Sequence, residues 1–161
     1  MLELSRPDLA VVRCCARHAE IDELARPEMC GRIAPDEILV LAPTSDSERV
    51  LAELSTELGR ANPSAIVIDH SDAFHLIALA GRAHEALARL SPVPIPSEGF
   101  VQGPVAGVPC KIFVTSHEIL LLAPSTYGHH LRERIMVACA DLDVRERAFT
   151  EPASLAQAAS A

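Results

Sequence analysis

One nine-residue segment occurs twice in this chain. Glu37-Ile38-Leu39-Val40-Leu41-Ala42-Pro43-Thr44-Ser45 returns as Glu118-Ile119-Leu120-Leu121-Leu122-Ala123-Pro124-Ser125-Thr126. Each copy is an apolar strand, then a proline that cannot donate to a sheet ladder, then hydroxyl side chains able to cap a helix. Behind the first copy, Ser45 and Glu48 have capping-box spacing, and Val50, Leu51, Leu54 and Leu58 form one apolar stripe ending at Gly59. Behind the second, Tyr127, Leu131, Ile135 and Ala138 share a face, with Arg132, Glu133 and Arg134 turned to solvent. A short connection leads into each strand: Arg32-Ile33-Ala34-Pro35-Asp36 into the first, and Lys111-Ile112-Phe113-Val114-Thr115-Ser116 into the second, with a tight turn at Ser116-His117. The chain is therefore expected to be an α+β fold of duplicated hairpin-plus-helix units, since two copies are too few for a solenoid.

The intervening segments fill in the rest. Residues 65–68 read as a short buried strand and Asp69-His70-Ser71-Asp72 as a polar turn. Residues 74–80 read as a second strand, the return arm of a hairpin. Gly81 breaks that strand, and a helix follows with Ala83, Leu87 and Leu90 inward. The proline-rich stretch 91–96 is extended and excluded from a central strand. Glycines 99, 103 and 107 punctuate a strand with turns between 101 and 108. Near the start, 9–15 reads as an edge strand and 18–24 as a short helix. Residues 1–149 are expected to form one domain, and the Ala/Ser/Gln-rich residues 150–161 a disordered tail.

Composition narrows the function. With 161 residues, 49% of them hydrophobic, the chain can bury a full core. A net charge of −8 with a single lysine, Lys111, argues against nucleic acid, because phosphate contacts need clustered Lys and Arg. Aromatics are scarce: Phe74, Phe100, Phe113, Phe149 and Tyr127. That leaves little for a base-stacking platform. Five cysteines at irregular spacing, with no CxxC and no basic-apolar leader at Met1-Leu2-Glu3, predict reduced thiols in the cytoplasm. No apolar run has the length of a membrane span.

Several residues carry chemistry in principle. His129 and His130 are adjacent, so on a helix they point about 100° apart and cannot chelate one metal as an i, i+4 pair does. His70, His75, His117 and the cysteines lack the short spacing of a ligand motif. Asp69, His70, Ser71 and Asp72 include the residue types of a hydrolytic triad. Neighbours in one turn cannot supply its geometry, and no Gly-x-Ser-x-Gly elbow occurs. Cys14 and Cys15 face opposite sides of a strand, so at most one is exposed, with Arg13 and Arg17 as the nearby cations a reactive thiolate would want. Glycines 99, 103 and 107 form neither a phosphate loop nor a dinucleotide fingerprint. The expectation is that this chain contributes no catalytic, cofactor-binding or metal-binding residue.

The order of these segments resembles the gamma-subunit family of heterotetrameric sarcosine oxidase. The resemblance is carried by Pro35-Asp36-Glu37 running into Leu41-Ala42-Pro43, then Asp69-His70-Ser71-Asp72 before an apolar strand, then Gly81-Arg82-Ala83. It continues with the proline loop 92–96, Ala106-Gly107-Val108-Pro109, and Pro124-Ser125-Thr126-Tyr127. It spans about 33–142, and Ile38 stands where the family often has tryptophan. The gamma-like subunit of N-methylglutamate dehydrogenase is resembled equally. The resemblance implies a fold similar to the folate-binding domain of the glycine-cleavage T-protein. It also implies a non-catalytic role beside alpha, beta and delta partner subunits, on which FAD, FMN, NAD and tetrahydrofolate are expected. Two other readings stay open. One is a stand-alone folate-binding protein, for which Asp69 and Asp72 are the only candidates to hold a pterin. The other is an independent small enzyme, which no residue spacing supports.

Overall fold

The computed structural model describes residues 1–24 and 29–147; the tail expected at 150–161 lies outside them. The chain opens on β1 (Leu2–Ser5). It then builds one compact unit from Leu9–Ser71, and a second from Asp72 onward together with Met1–Asp8.

The Leu9–Ser71 unit contains β2 (Leu9–Cys15), α1 (His18–Glu23), β3 (Cys30–Ala34), β4 (Glu37–Pro43), α2 (Ser47–Ala61) and β5 (Ile66–Asp69). Its antiparallel sheet has the order β3-β4-β2-β5, so the β2–α1–β3 and β4–α2–β5 segments interleave as a split β-α-β pair. The expected β3–β4 hairpin is present, with an irregularity between Arg32 and Ala34. β2 is not the edge strand expected from the sequence. It lies between β4 and β5, and Leu9, Ala10, Val11 and Val12 are all buried, a continuous apolar run that fits a strand covered on both faces. The edge is β5, expected to be buried. Val67 packs on the core with Leu54 and Leu58 of α2, while Ile66 and Ile68 are 54% and 40% exposed.

The second unit adds β6 (Phe74–Gly81), α3 (Ala83–Leu90), β7 (Gly99–Val105), β8 (Val108–Val114), β9 (Glu118–Pro124), α4 (Gly128–Ala138) and β10 (Val144–Glu146). Its sheet runs β10-β1-β6-β9-β8-β7. Here the sequence reading needs a second correction. β5 and β6 are not arms of one hairpin: β5 pairs with β2, and β6 with β1 and β9. The Asp69–Asp72 turn carries the chain out of one sheet and into the other. The β8–β9 hairpin is as expected, closed by Thr115, whose backbone N–H and hydroxyl both donate to the Glu118 carbonyl, at 3.0 and 2.9 Å. β1 and β10, which the sequence did not reveal, pair in parallel, and Leu2 and Leu4 of β1 are buried in the core.

The repeat is exact at the backbone. β4 and β9 have the same continuous burial, with only the two end residues partly exposed. Pro43 (φ −52°, ψ 140°) and Pro124 (φ −53°, ψ 137°) then turn the chain into a single 3₁₀ turn, Thr44–Asp46 or Ser125–Tyr127. Each α-helix begins only after that turn. The Ser45/Glu48 capping box therefore does not form; the Ser47 hydroxyl instead donates to the Thr44 carbonyl at 2.9 Å. Gly59 does not end α2 either. Its backbone φ is not positive, and the helix runs on to Ala61, where the Asn62 N–H bonds the Leu58 carbonyl at 2.8 Å. In α4 the buried face is Gly128, Leu131, Ile135 and Cys139, whereas Tyr127 and Ala138, expected on it, are exposed.

Of the expected turn glycines, Gly107 (φ 82°) follows Ala106 (φ 51°) in the two-residue β7–β8 turn, where left-handed residues match the strand twist. Gly103 lies inside β7 instead, where a Cβ would stand 2.3 Å from Val93 Cγ2, so the 91–96 segment rests on its bare backbone.

Candidate functional site

The second unit contains an open cleft of about 210 Å³ lined from four separate elements. β1 contributes Leu4 and Ser5, and Arg6 follows its end; β6 contributes His75, Leu76 and Ile77. α4 contributes Arg132, and Glu146 and Arg147 come from the end of β10. Three arginines thus face one carboxylate in the wall of a cleft on a chain whose net charge is −8. Glu146 bonds the Nη2 of Arg132 through both oxygens, at 2.5 and 2.6 Å, and Arg147 bonds Glu3 at 2.8 Å.

His75 is the half-buried member of the group. Burial pushes its imidazole below its ordinary value, and the positive charges of Arg6 and Arg132 push in the same direction, each disfavouring the protonated ring. Its position depends on Gly128, the first residue of α4. A Cβ there would stand 2.1 Å from His75 Cγ and 2.5 Å from His75 Cβ, so ring and helix meet only because residue 128 has no side chain. The duplication gives an internal comparison. Ala10 opposes Ala42 on β4 as His75 opposes Ala123 on β9. Counting along the repeat, Ser47 then corresponds to Gly128 and Leu51 to Arg132. Where one unit has alanine on the strand and serine and leucine on the helix, the other has histidine on the strand and glycine and arginine on the helix.

The residues singled out in the sequence are not brought together. His129 bonds Glu133 one turn along α4, at 3.1 Å, and His130 is exposed beside it. Among the described residues no group of three or more His, Cys, Asp or Glu is placed to hold a metal ion. Asp69 and Ser71 form a capped turn: the Ser71 N–H and hydroxyl donate to Asp69 Oδ1 at 2.9 and 2.5 Å, and the Val11 N–H donates to Ser71 Oγ at 2.9 Å. The Ser71 hydroxyl holds the Asp69 carboxyl below its ordinary value. That serine bonds the carboxylate directly, with no imidazole between them, which is a turn and not a triad. Asp69 and Asp72, the candidates for a pterin, are both exposed.

Cys14 is fully buried, and burial pushes its thiol up to about 12. Cys15 is partly exposed, as alternation along a strand requires. Burial raises its thiol too, and the opposing effect of Arg13 does not reverse this. Arg13 is paired with Glu37 at 2.6 Å and Arg17 with Glu20, so neither activates a thiolate. The cleft itself escaped the sequence reading. His75 was weighed only as a metal ligand and Arg132 only as a solvent-facing residue; the signal available was Gly128 in the first turn of a helix.

No protein-family model and no curated protein matches this sequence. Solved structures match its fold. The heterotetrameric sarcosine oxidase of Corynebacterium sp. U-96, in complex with pyrrole 2-carboxylate, is similar with a TM-score of 0.70 and 17% identity over 91% of this chain and 87% of that one. The glycine cleavage system aminomethyltransferase T of Bartonella henselae is similar with a TM-score of 0.64 and 16% identity, over 90% of this chain and 47% of that one. At such identities the likeness is one of fold. The expected α+β fold with a T-protein-like architecture is the one observed. No helix among the described residues is long and apolar enough to cross a membrane.

Proposed function

We propose that this chain is the non-catalytic gamma subunit of a heterotetrameric, flavin- and folate-dependent sarcosine oxidase, which demethylates sarcosine or a related N-methyl amino acid. One observation carries the reading. The fold matches a chain of a sarcosine oxidase along nearly the whole length of both, 91% and 87%, whereas it spans only 47% of the aminomethyltransferase chain. The likeness therefore extends over most of one chain of that enzyme, and the ordered motifs from Pro35 to Tyr127 agree with the gamma family. A stand-alone folate-binding role gains nothing from Asp69 and Asp72, since both carboxylates are exposed and Asp69 is engaged in its own turn. On this reading the chain acts in the cytoplasm beside alpha, beta and delta partners, which carry FAD, FMN, NAD and tetrahydrofolate. The oxidation belongs to a flavin held by another chain. The gamma-like subunit of N-methylglutamate dehydrogenase is the same proposal with a different substrate and acceptor.

The test is co-expression with the flavin-bearing large subunit of the same genome, followed by affinity capture and native mass measurement. A stoichiometric complex whose sarcosine-dependent activity is lost when this chain is omitted is the expected result. A stable monomer that never co-purifies with that subunit would refute the proposal.

A further inference from the structure

We propose that the cleft framed by β1, β6, α4 and β10 is a binding site for a carboxylate on a short apolar stem, held between the guanidinium groups of Arg6 and Arg132 with His75 adjoining both. The site is inferred from this chain's own residues, and only the last arm of its test uses the assembly proposed above.

Three observations support it. First, the wall joins cationic and apolar groups: Arg6, Arg132 and Arg147 sit beside Leu4 and Ile77. Guanidinium groups present paired N–H donors that match the two oxygens of a carboxylate. Second, Glu146 occupies only Nη2 of Arg132, so Nε and Nη1 have no partner among the described residues. Third, the arrangement is specific to one unit. The counterparts of His75, Gly128 and Arg132 are Ala10, Ser47 and Leu51, which supply neither an imidazole nor a guanidinium. A duplicated scaffold needs neither a half-buried histidine nor the glycine that makes room for it. At about 210 Å³ the cleft is below the size of a drug-like site, which restricts the ligand to a small acid or to a single acidic side chain of a partner protein.

The charged groups that reach His75 are Arg6 beyond the end of β1 and Arg132 of α4, with Glu146 of β10 acting through Arg132. Ala123, opposite it on β9, carries no charge. A bound anion would offset both arginines and so raise the His75 pKa. Binding therefore takes up a proton and tightens as the pH falls through the histidine range.

The experiment uses the full chain, with the His75 imidazole followed by NMR across pH. Propionate is the probe and propionamide, equal in shape but uncharged, the control. Propionate should raise the His75 pKa and shift resonances around the cleft, and propionamide should do neither. Arg132→Gln should weaken propionate at least about tenfold, the loss expected for a charge-assisted bond. Glu146→Gln should tighten it, because it releases the competing carboxylate. That sign separates a ligand site from a simple strut: if Arg132 and Glu146 serve only to tie α4 to β10, both variants weaken the response or neither changes it, and the proposal falls. It falls equally if propionate has no effect in the millimolar range or if propionamide matches it. Repeating the titration on the complex with the large subunit identifies the source. Retained propionate binding means a small acid, and lost binding means a carboxylate supplied by the partner.

Discussion

Gly128→Ala is the sharpest test of how the second unit is packed. Its φ of −57° is ordinary for a helix, so alanine is not excluded by the backbone. Helix propensity alone favours alanine over glycine by up to about 1 kcal/mol. Packing opposes it. The new Cβ would meet His75 Cγ at 2.1 Å, Cβ at 2.5 Å and Cδ2 at 2.6 Å. Rotating the ring removes the first and third contacts but not the second, because His75 Cβ is fixed to β6, which is bonded to β1 on one side and β9 on the other. Relief therefore requires α4 or the strand to move, a cost of about 1–3 kcal/mol for an overpacked site. The net loss is roughly 1–2 kcal/mol, a fall in melting temperature of roughly 2–8 °C at 2–4 °C per kcal/mol. Thermal and urea melts followed by circular dichroism measure it, first alone and then on a His75→Ala background. Removing the ring should reduce the cost of Gly128→Ala without abolishing it, since the 2.5 Å contact with Cβ survives. An alanine variant as stable as the parent, or a cost unchanged within about 0.5 kcal/mol by His75→Ala, would refute the reasoning.

Three further outcomes follow from the same structure. Burial raises the Glu118 carboxyl above its ordinary value, against the opposing effect of His117, so the folded state disfavours its ionisation. The stability this group allows is full below its unfolded value near 4.5 and is lost as the pH rises through its folded value; Glu118→Gln should therefore raise urea stability at neutral pH and flatten its fall between pH 4.5 and 7. Leu121 is fully buried at the centre of β9 and packs in the larger core, so Leu121→Ala should cost about 2–5 kcal/mol in a urea melt. Burial pushes the Cys14 and Cys110 thiols up to about 12 and about 11, whereas Cys15 and Cys30 are partly exposed. A thiol reagent at pH 8 should label Cys15 and Cys30 first, as mass spectrometry of the digest would show, and equal labelling of Cys14 would contradict the packing of β2.

What the sequence made visible was local and repeated. Glu-Ile-Leu-x-Leu-Ala-Pro announces an apolar strand, and the proline announces its end. Both predictions hold at β4 and β9. The helix stripes hold at their centres, Leu54 and Leu58 in one helix and Leu131 and Ile135 in the other, and fail at their ends. The proline-led segment makes a 3₁₀ turn before the α-helix starts, so Ser45 and Tyr127 fall outside the helices they were expected to begin. The remaining errors concern pairing. Short apolar runs such as 66–68 and 9–15 do not say which neighbour they will find, and β1 and β10 meet only because residues 2 and 144 are brought side by side. The cleft was invisible for the same reason: Arg6, His75, Arg132 and Glu146 come from four elements and share no spacing.

The position of the cleft follows from where the two halves of the chain depart from each other. In the Leu9–Ser71 unit the strand after the second helix, β5, pairs directly with β2. In the other unit the corresponding strand, β10, is kept from β6 by β1, which takes the place beside it and pairs with both. Inserting β1 brings the chain start to the middle of a sheet and leaves Arg6 where β1 ends, close enough to His75 to lower its pKa. It also moves β10 outward by one strand, so Glu146 and Arg147 form an outer wall and Arg132 on α4 bridges to it. Arg6, Glu146 and Arg147 are thus supplied by elements added or moved relative to the repeat, whereas Arg132, His75 and Gly128 are substitutions on the retained frame.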